Sequence, residues 1–193
     1  MVEKAWQLEA SLRQLMLTLP VEWYPRTVAY ISEVPEAPER AEAWVGPIHY
    51  YTGIHAAEKL NKLRACRMLS AEVVVEGLEW LYPDNFSRDE RYRKMCYVEQ
   101  QVIDDMCASI PFHLGWGQER RSKDPENMDV IADLITGYSL IWPLSAAIDN
   151  PRIAPGQRAW LRGRMATIGH EYGFEQALLL SPESGDMSDQ DCL

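Results

Sequence analysis

His55 and Glu58 stand three residues apart, so on a helix they are neighbours on one face. A histidine beside a carboxylate is the smallest arrangement that can move a proton, because the carboxylate orients the ring and raises its basicity. The plainer reading is a surface pair contributing about 0.3 kcal/mol. Glu99 falls in the middle of an otherwise apolar helical stripe. A carboxyl buried there alone must rise in pKa, which is how proton donors working near neutral pH are made. The plainer reading is a buried ion pair, for example with an arginine of the last long helix. His170 precedes Glu171 near a helix end, where the dipole stabilises a cation by up to ~1 kcal/mol, and capping alone would account for it. The catalytic candidates are therefore His55, Glu58, Glu99 and His170. Tyr51, Tyr138, Trp142 and Trp116 are the candidates for an apolar ligand-binding wall, with Tyr50 beside them, although aromatics on helices are more often plain core. His113, in a Pro-Phe-His-Leu-Gly run, reads as a packed, hydrogen-bonded turn residue, and Asp104 and Asp105 as structural partners for an arginine.

Several chemistries are absent from the sequence. No nucleophile elbow, phosphate-cradling glycine loop, dinucleotide fingerprint or zinc-hydrolase motif occurs. His49 and His55 are six apart, which is not the spacing of a helical metal pair. The four cysteines, Cys66, Cys96, Cys107 and Cys192, include no C-x2-C pair, so they read as small core residues rather than zinc ligands or disulfide partners. No metal and no cofactor is expected. An enzyme built from these residues would depend on shape, a dry pocket and one or two acid–base groups, and would isomerise, dehydrate or cyclise an apolar small molecule.

The elements that must position these residues are helices. Ala5, Leu8, Leu12, Leu15 and Leu19 step by three and four and predict a first helix from about Lys4 to Leu17, ended by Pro20. Val21 to Pro47 contains too many prolines for a helix or a central strand. It reads as a long, partly extended connection anchored by Trp23, Tyr24, Tyr30 and Trp44. A second helix is predicted from Tyr50 to Leu81 through Ile54, Ala57, Leu60, Leu63, Cys66, Leu69 and Val73. A third covers Arg88 to Ser109, with Ser87 and Glu90 as a capping box. A fourth, Asn127 to Ala147, is apolar nearly all round and should kink at Pro143. A fifth, Pro155 to Tyr172, is followed by Gly173 at the helix-end position and by a last turn from Ala177 to Leu180. No strand is predicted. The fold class is all-α, a single helical domain of about five main helices over residues 1–181, followed by an acidic flexible tail at 182–193.

Composition agrees with a soluble domain: 47% of the 193 residues are hydrophobic and 25% charged. No apolar run of membrane length and no basic-then-apolar leader is present, so an intracellular protein, cytoplasmic or nuclear, without membrane contact is expected. The net charge is -10, from 29 acidic against 19 basic residues. Such a field repels a duplex, so nucleic acid is not an expected partner.

Three segments carry a family resemblance. Residues 104–115, from Asp104-Asp105-Met106-Cys107 to Pro111-Phe112-His113-Leu114-Gly115, form the first. Gly137-Tyr138-Ser139-Leu140-Ile141-Trp142-Pro143-Leu144 forms the second. The third is Gln157-Arg158-Ala159-Trp160-Leu161-Arg162-Gly163-Arg164, with Ile168-Gly169 and Gln176-Ala177-Leu178 after it. In order and spacing they resemble the C-terminal regulatory region of fungal zinc-cluster transcription factors. The resemblance implies a helical regulatory domain that senses small molecules or partners and dimerises. The six-cysteine zinc cluster that reads DNA in that family has no counterpart here, so the DNA-reading function is not carried over. The chain is expected to be an excised regulatory fragment or a stand-alone descendant. His55 and His170 both lie where the sequence departs from the family pattern.

The leading expectation is a regulator-like helical domain that binds a small apolar ligand, forms a homodimer, or both, without binding DNA. The alternative is a cofactor-free isomerase, dehydratase or cyclase of fungal secondary metabolism recruited from that fold. Either would place a pocket between the second, third and fourth helices near Pro143, walled by Tyr51, His55, Glu99, Tyr138 and Trp142.

Overall fold

The structure, a computed structural model, describes residues 1–115 and 128–181, and the side chains of all of these except 128–135. Trp116, Cys192 and the tail at 182–193 lie outside the described residues. In chain order the elements are α1 (Val2–Leu17), β1 (Arg26–Ile31), β2 (Gly46–Tyr50), α2 (Ile54–Leu81), α3 (Glu90–His113), α4 (Met128–Asp149), α5 (Pro155–Tyr172) and α6 (Glu175–Leu179). Short 3-10 turns occupy Val21–Trp23, Pro38–Arg40 and Phe86–Arg88. The chain is mainly helical, as its patterning predicts.

α2 is the spine. Its inward face runs through Ala57, Asn61, Arg64, Met68, Ala71, Val75 and Leu78, at alternating steps of four and three. α1 packs on one side of it and α3 on another, with α4 also in contact. α3 presents Met95, Val98, Val102, Ile103, Met106 and Ile110 to the core, and α4 adds Leu140, Ile141, Leu144 and Ile148. Trp160, Leu161, Met165 and Ile168 of α5 close the layer. Gly173, at φ 76°, stops α5 in the left-handed conformation and donates its N–H to the Gly169 carbonyl (3.1 Å).

Four details differ from the sequence reading. α1 buries Val2, Ala5 and Glu9, while Leu8 and Leu15 are exposed. Glu9 forms an ion pair with Arg67 of α2 (2.6 Å), which rotates the helix toward that partner. The proline-rich connection contains a hairpin: β1 pairs antiparallel with β2, Thr27 opposite His49 and Ile31 opposite Gly46, with a bulge between Thr27 and Ala29. A two-stranded ribbon leaves an edge free on each strand, so Pro47 loses no necessary bond. α3 is capped by Asp89, which accepts the Arg91 N–H (2.8 Å), rather than by Ser87. It also continues past Pro111, which sits in the last turn where one missing amide costs little. That extension makes His113 helical.

The segment before β2 docks far away in sequence. Trp160 donates its indole N–H to the Ala41 carbonyl (2.9 Å), and Trp44 lies against Trp160 with ring centroids 6.1 Å apart. Gly163 lets the Glu39 backbone approach α5 so closely that a Cβ there would collide with it. Tyr30, expected as an anchor, is exposed.

Candidate functional site

The polar groups that the structure gathers lie along the seam between α2 and α3. Asn61 and Arg64 are one turn apart on α2, and Asp105, Ser109 and His113 follow at steps of four on α3. Both sets lie on inward or inward-edge positions. Tyr51, just after β2, closes one end and packs on Phe112 (5.2 Å between centroids). Arg64 donates from Nη1 to the Tyr51 hydroxyl (2.9 Å) and to Asn61 Oδ1 (2.9 Å). Asn61 Nδ2 donates to Ser109 Oγ (2.8 Å) and lies 3.2 Å from His113 Nε2. Ser109 Oγ donates to the Met106 carbonyl (2.7 Å).

This network fixes its own protonation pattern. A guanidinium can only donate, so the Asn61 atom facing Arg64 must be the oxygen. The amide nitrogen then faces His113, whose Nε2 accepts, and the ring proton sits on Nδ1. His113 Nδ1, Arg64 Nε, His49 Nδ1 and Glu58 Oε1 are buried with no hydrogen-bond partner among the described residues. Among the described residues the nearest carboxylate to Arg64 is Asp105, with Oδ2 3.8 Å from Nε, too long for a hydrogen bond.

Burial pushes the His113 imidazole down to about 3, and the charge of Arg64 adds to the effect. His49 is lowered by the same two causes, burial first, with Asp105 opposing. Burial raises the Tyr51 phenol more than Arg64 pulls it down. The histidine shifts predict a pH dependence. An unfolded histidine takes its proton near pH ~6.5. From there down to about 3 the unfolded chain holds a proton that folded His113 refuses, so stability falls as pH falls through that window. One such proton costs ~1.4 kcal/mol per pH unit. Urea unfolding should lose stability between about pH 6 and 5, above the range where carboxylates titrate. In His113→Asn that loss should be visibly shallower, and an identical slope would refute the assignment.

The sequence candidates are dispersed. His55 is 83% exposed at the side chain, with Nδ1 3.7 Å from Glu58 Oε2, the surface geometry of its plainer reading. Glu99 is buried but paired: Arg152 donates from Nε and Nη2 to its two oxygens, both at 2.7 Å. Arg152 comes from the turn between α4 and α5, not from α5 itself. His170 is exposed in the last turn of α5. Tyr138 and Trp142 share an outward face of α4, 60% and 47% exposed, and Tyr138 lies against Phe174 (5.7 Å). Tyr51 alone of the five expected wall residues joins the buried seam. Trp116 lies outside the described residues. Asp104 accepts from Gln157 (2.8 Å) rather than from an arginine.

Asn61 and Arg64 were not singled out by type or motif; Ser109 entered as part of the 104–115 segment, and His49 only as a metal ligand set aside. The available signal for Asn61, Arg64 and Ser109 was their position on the four-three register of α2 and α3, while His49 belongs to the unpredicted strand β2. Among the described residues no three His, Cys, Asp or Glu side chains gather as a metal set, and no helix is long and apolar enough to cross a membrane. Cys107 is buried, and its thiol is pushed up by burial. Cys66 and Cys96 are half-buried, and all three are free.

No family model matches the chain, and no solved structure matches it. Among known proteins it is similar to "Transcription factor dbaG" of Emericella nidulans, with 27% identity over 162 residues. Those residues are 81% of this chain and 37% of that protein, so the chain spans little more than a third of the relative it matches. Over most of its length, the chain is similar to part of a protein named as a fungal transcription factor.

Proposed function

We propose that this chain is a regulatory helical module of the fungal transcription-factor type, acting in the nucleus or cytoplasm by binding a small molecule or a second copy of itself, without reading DNA. The extent of the similarity carries the reading: 81% of the chain is covered, so the relationship concerns the helical body as a whole. The net charge of -10 supports the part concerning DNA, because phosphate neutralisation supplies most duplex affinity. The absence of free acid–base pairs among the sequence candidates favours binding over turnover: Glu99 is held by Arg152, and His55 stands in solvent.

The test has two arms. Fused to a heterologous DNA-binding domain, the chain should change transcription of a reporter; the isolated protein should not retard duplex DNA in a gel. An inert fusion, or tight salt-sensitive duplex binding, would overturn the proposal. Sedimentation would then separate the small-molecule mode from the dimer.

A second reading, a cofactor-free isomerase, dehydratase or cyclase, has one observation in its favour. His49 is shifted toward its neutral, basic form at the edge of the seam, near Arg64 and Asp105. Turnover of a component of the producing fungus's extract, abolished by His49→Ala but spared by His55→Ala, would establish that reading.

A further inference from the structure

Arg64 is treated differently from two other arginines that reach into this fold. Arg67 donates to Glu9 at 2.9 and 2.6 Å, and Arg152 to Glu99 at 2.7 Å twice. Each cation is matched by a carboxylate at hydrogen-bond distance. Arg64 is more deeply buried, 4% exposed at the side chain, yet its hydrogen-bond partners are the neutral Tyr51 hydroxyl and Asn61 carbonyl oxygen. Its Nε–H has no acceptor among the described residues. Among the described residues the one carboxylate in range, Asp105, is 44% exposed and stands off at 3.8 Å. A buried cation left so incompletely matched is costly, and a neutral water on Nε would supply an acceptor but no charge.

The guanidinium is nevertheless rigidly aimed. Nη1 is clamped on one side by Tyr51 and Asn61, and Asn61 is itself held by Ser109. Such an arrangement lowers the ordering cost of a ligand at the remaining edge. Asp105 faces that edge across 3.8 Å, and its side chain is 44% exposed. Tyr51 and the half-buried Phe112 supply an aromatic flank beside it.

We propose that the seam is a binding site for a small organic carboxylate, preferably aromatic, whose oxygen accepts the Arg64 Nε–H in place of Asp105. The ligand completes the ion pair that the other two arginines make within the chain, and Asp105 acts as its competitor. This deepens the small-molecule mode of the proposed function and rests on it only in that respect: the site can be tested without any transcriptional readout.

The probe is benzoate, followed through the Arg64 Nε–H and Asn61 side-chain amide resonances of the full chain. Benzamide serves as the neutral isostere and sulfate as the inorganic anion. Benzoate should shift both resonances saturably, benzamide should not, and sulfate should be weaker than benzoate. Asp105→Asn removes the competing charge and should tighten benzoate about threefold, the scale of one partly screened charge interaction. Arg64→Lys should weaken it at least ~tenfold, since a lysine cannot present the same planar edge. Should Arg64→Lys fail to fold, Asp105→Asn on the protein surface still decides the matter. Unmoved Nε–H, equal response to benzamide, preference for sulfate, or weaker binding by Asp105→Asn each overturns the site. A silent seam together with an active reporter fusion would remove this inference and leave the regulatory reading standing.

Discussion

Replacing Glu99 by glutamine will lower the free energy of unfolding by about 3 kcal/mol, because it breaks a buried ion pair from one side only. The carboxylate is 2% exposed and receives two short hydrogen bonds from Arg152. A glutamine of nearly the same shape keeps one acceptor oxygen, turns an amide toward the other donor and leaves Arg152 uncompensated. Arg152 is partly exposed and can retreat to water, which keeps the loss below the upper end for fully buried pairs. For a chain of this length the change corresponds to a fall of roughly 10 °C in melting temperature. Calorimetry of Glu99→Gln beside the parent checks it. The result also separates two roles for the residue. A lone carboxyl raised for proton donation in an apolar pocket would tolerate glutamine or gain stability from it, so an unchanged or higher melting temperature would return Glu99 to the list of chemical candidates.

Asn61→Leu should cost a comparable amount, about 3 kcal/mol, for a different reason. Asn61 uses both ends of its amide, one toward Arg64 on its own helix and one toward α3. Its oxygen accepts from Arg64, and its nitrogen donates to Ser109 and faces His113. Leucine keeps the branched shape, is somewhat bulkier, and leaves each of those groups one partner short in a dry seam. Asn61→Asp should be milder at neutral pH. Its carboxylate would pair directly with Arg64, and neutral His113 can move its proton to Nε2 and donate instead of accepting. Urea titration of the two variants gives the order. Equal losses, or aspartate worse than leucine, would mean that the amide is merely packed and that the hydrogen-bond assignment is wrong.

The helices were legible because their apolar spacing is strong. The seam was not, and the reason lies in α2. Reading its stripe as Ile54, Ala57, Leu60, Leu63, Cys66, Leu69 and Val73 uses steps of three as far as Leu69, which walk round a helix by about 60° each time. That path leads outward, and Leu69 and Val73 are in fact exposed. Alternating four and three from Ala57 keeps to one face and passes through Asn61 and Arg64, two polar residues that an apolar search steps over. Glu99 was placed correctly on the inward face of α3, but Arg152 reaches it through the turn after α4, which no local pattern specifies. The hairpin was hidden by composition. Arg26–Ile31 holds Thr27, Val28, Tyr30 and Ile31, good strand formers, but the prolines around them argued for irregular chain.

The docking of residues 39–44 on α5 also bears on when the chain can finish folding. The Trp160 indole reaches Ala41 across 119 residues, and Arg164 reaches Glu39 across 125. At ribosomal elongation rates that gap takes on the order of ten seconds to synthesise. During that interval α1, the hairpin and α2 can form local structure, while Ala41 and Trp44 have no indole to settle against. Contacts of such long sequence separation close late and against loop entropy. The strap before β2 therefore waits for α5 to be made before it can dock, and it stays open to proteases and chaperones until then.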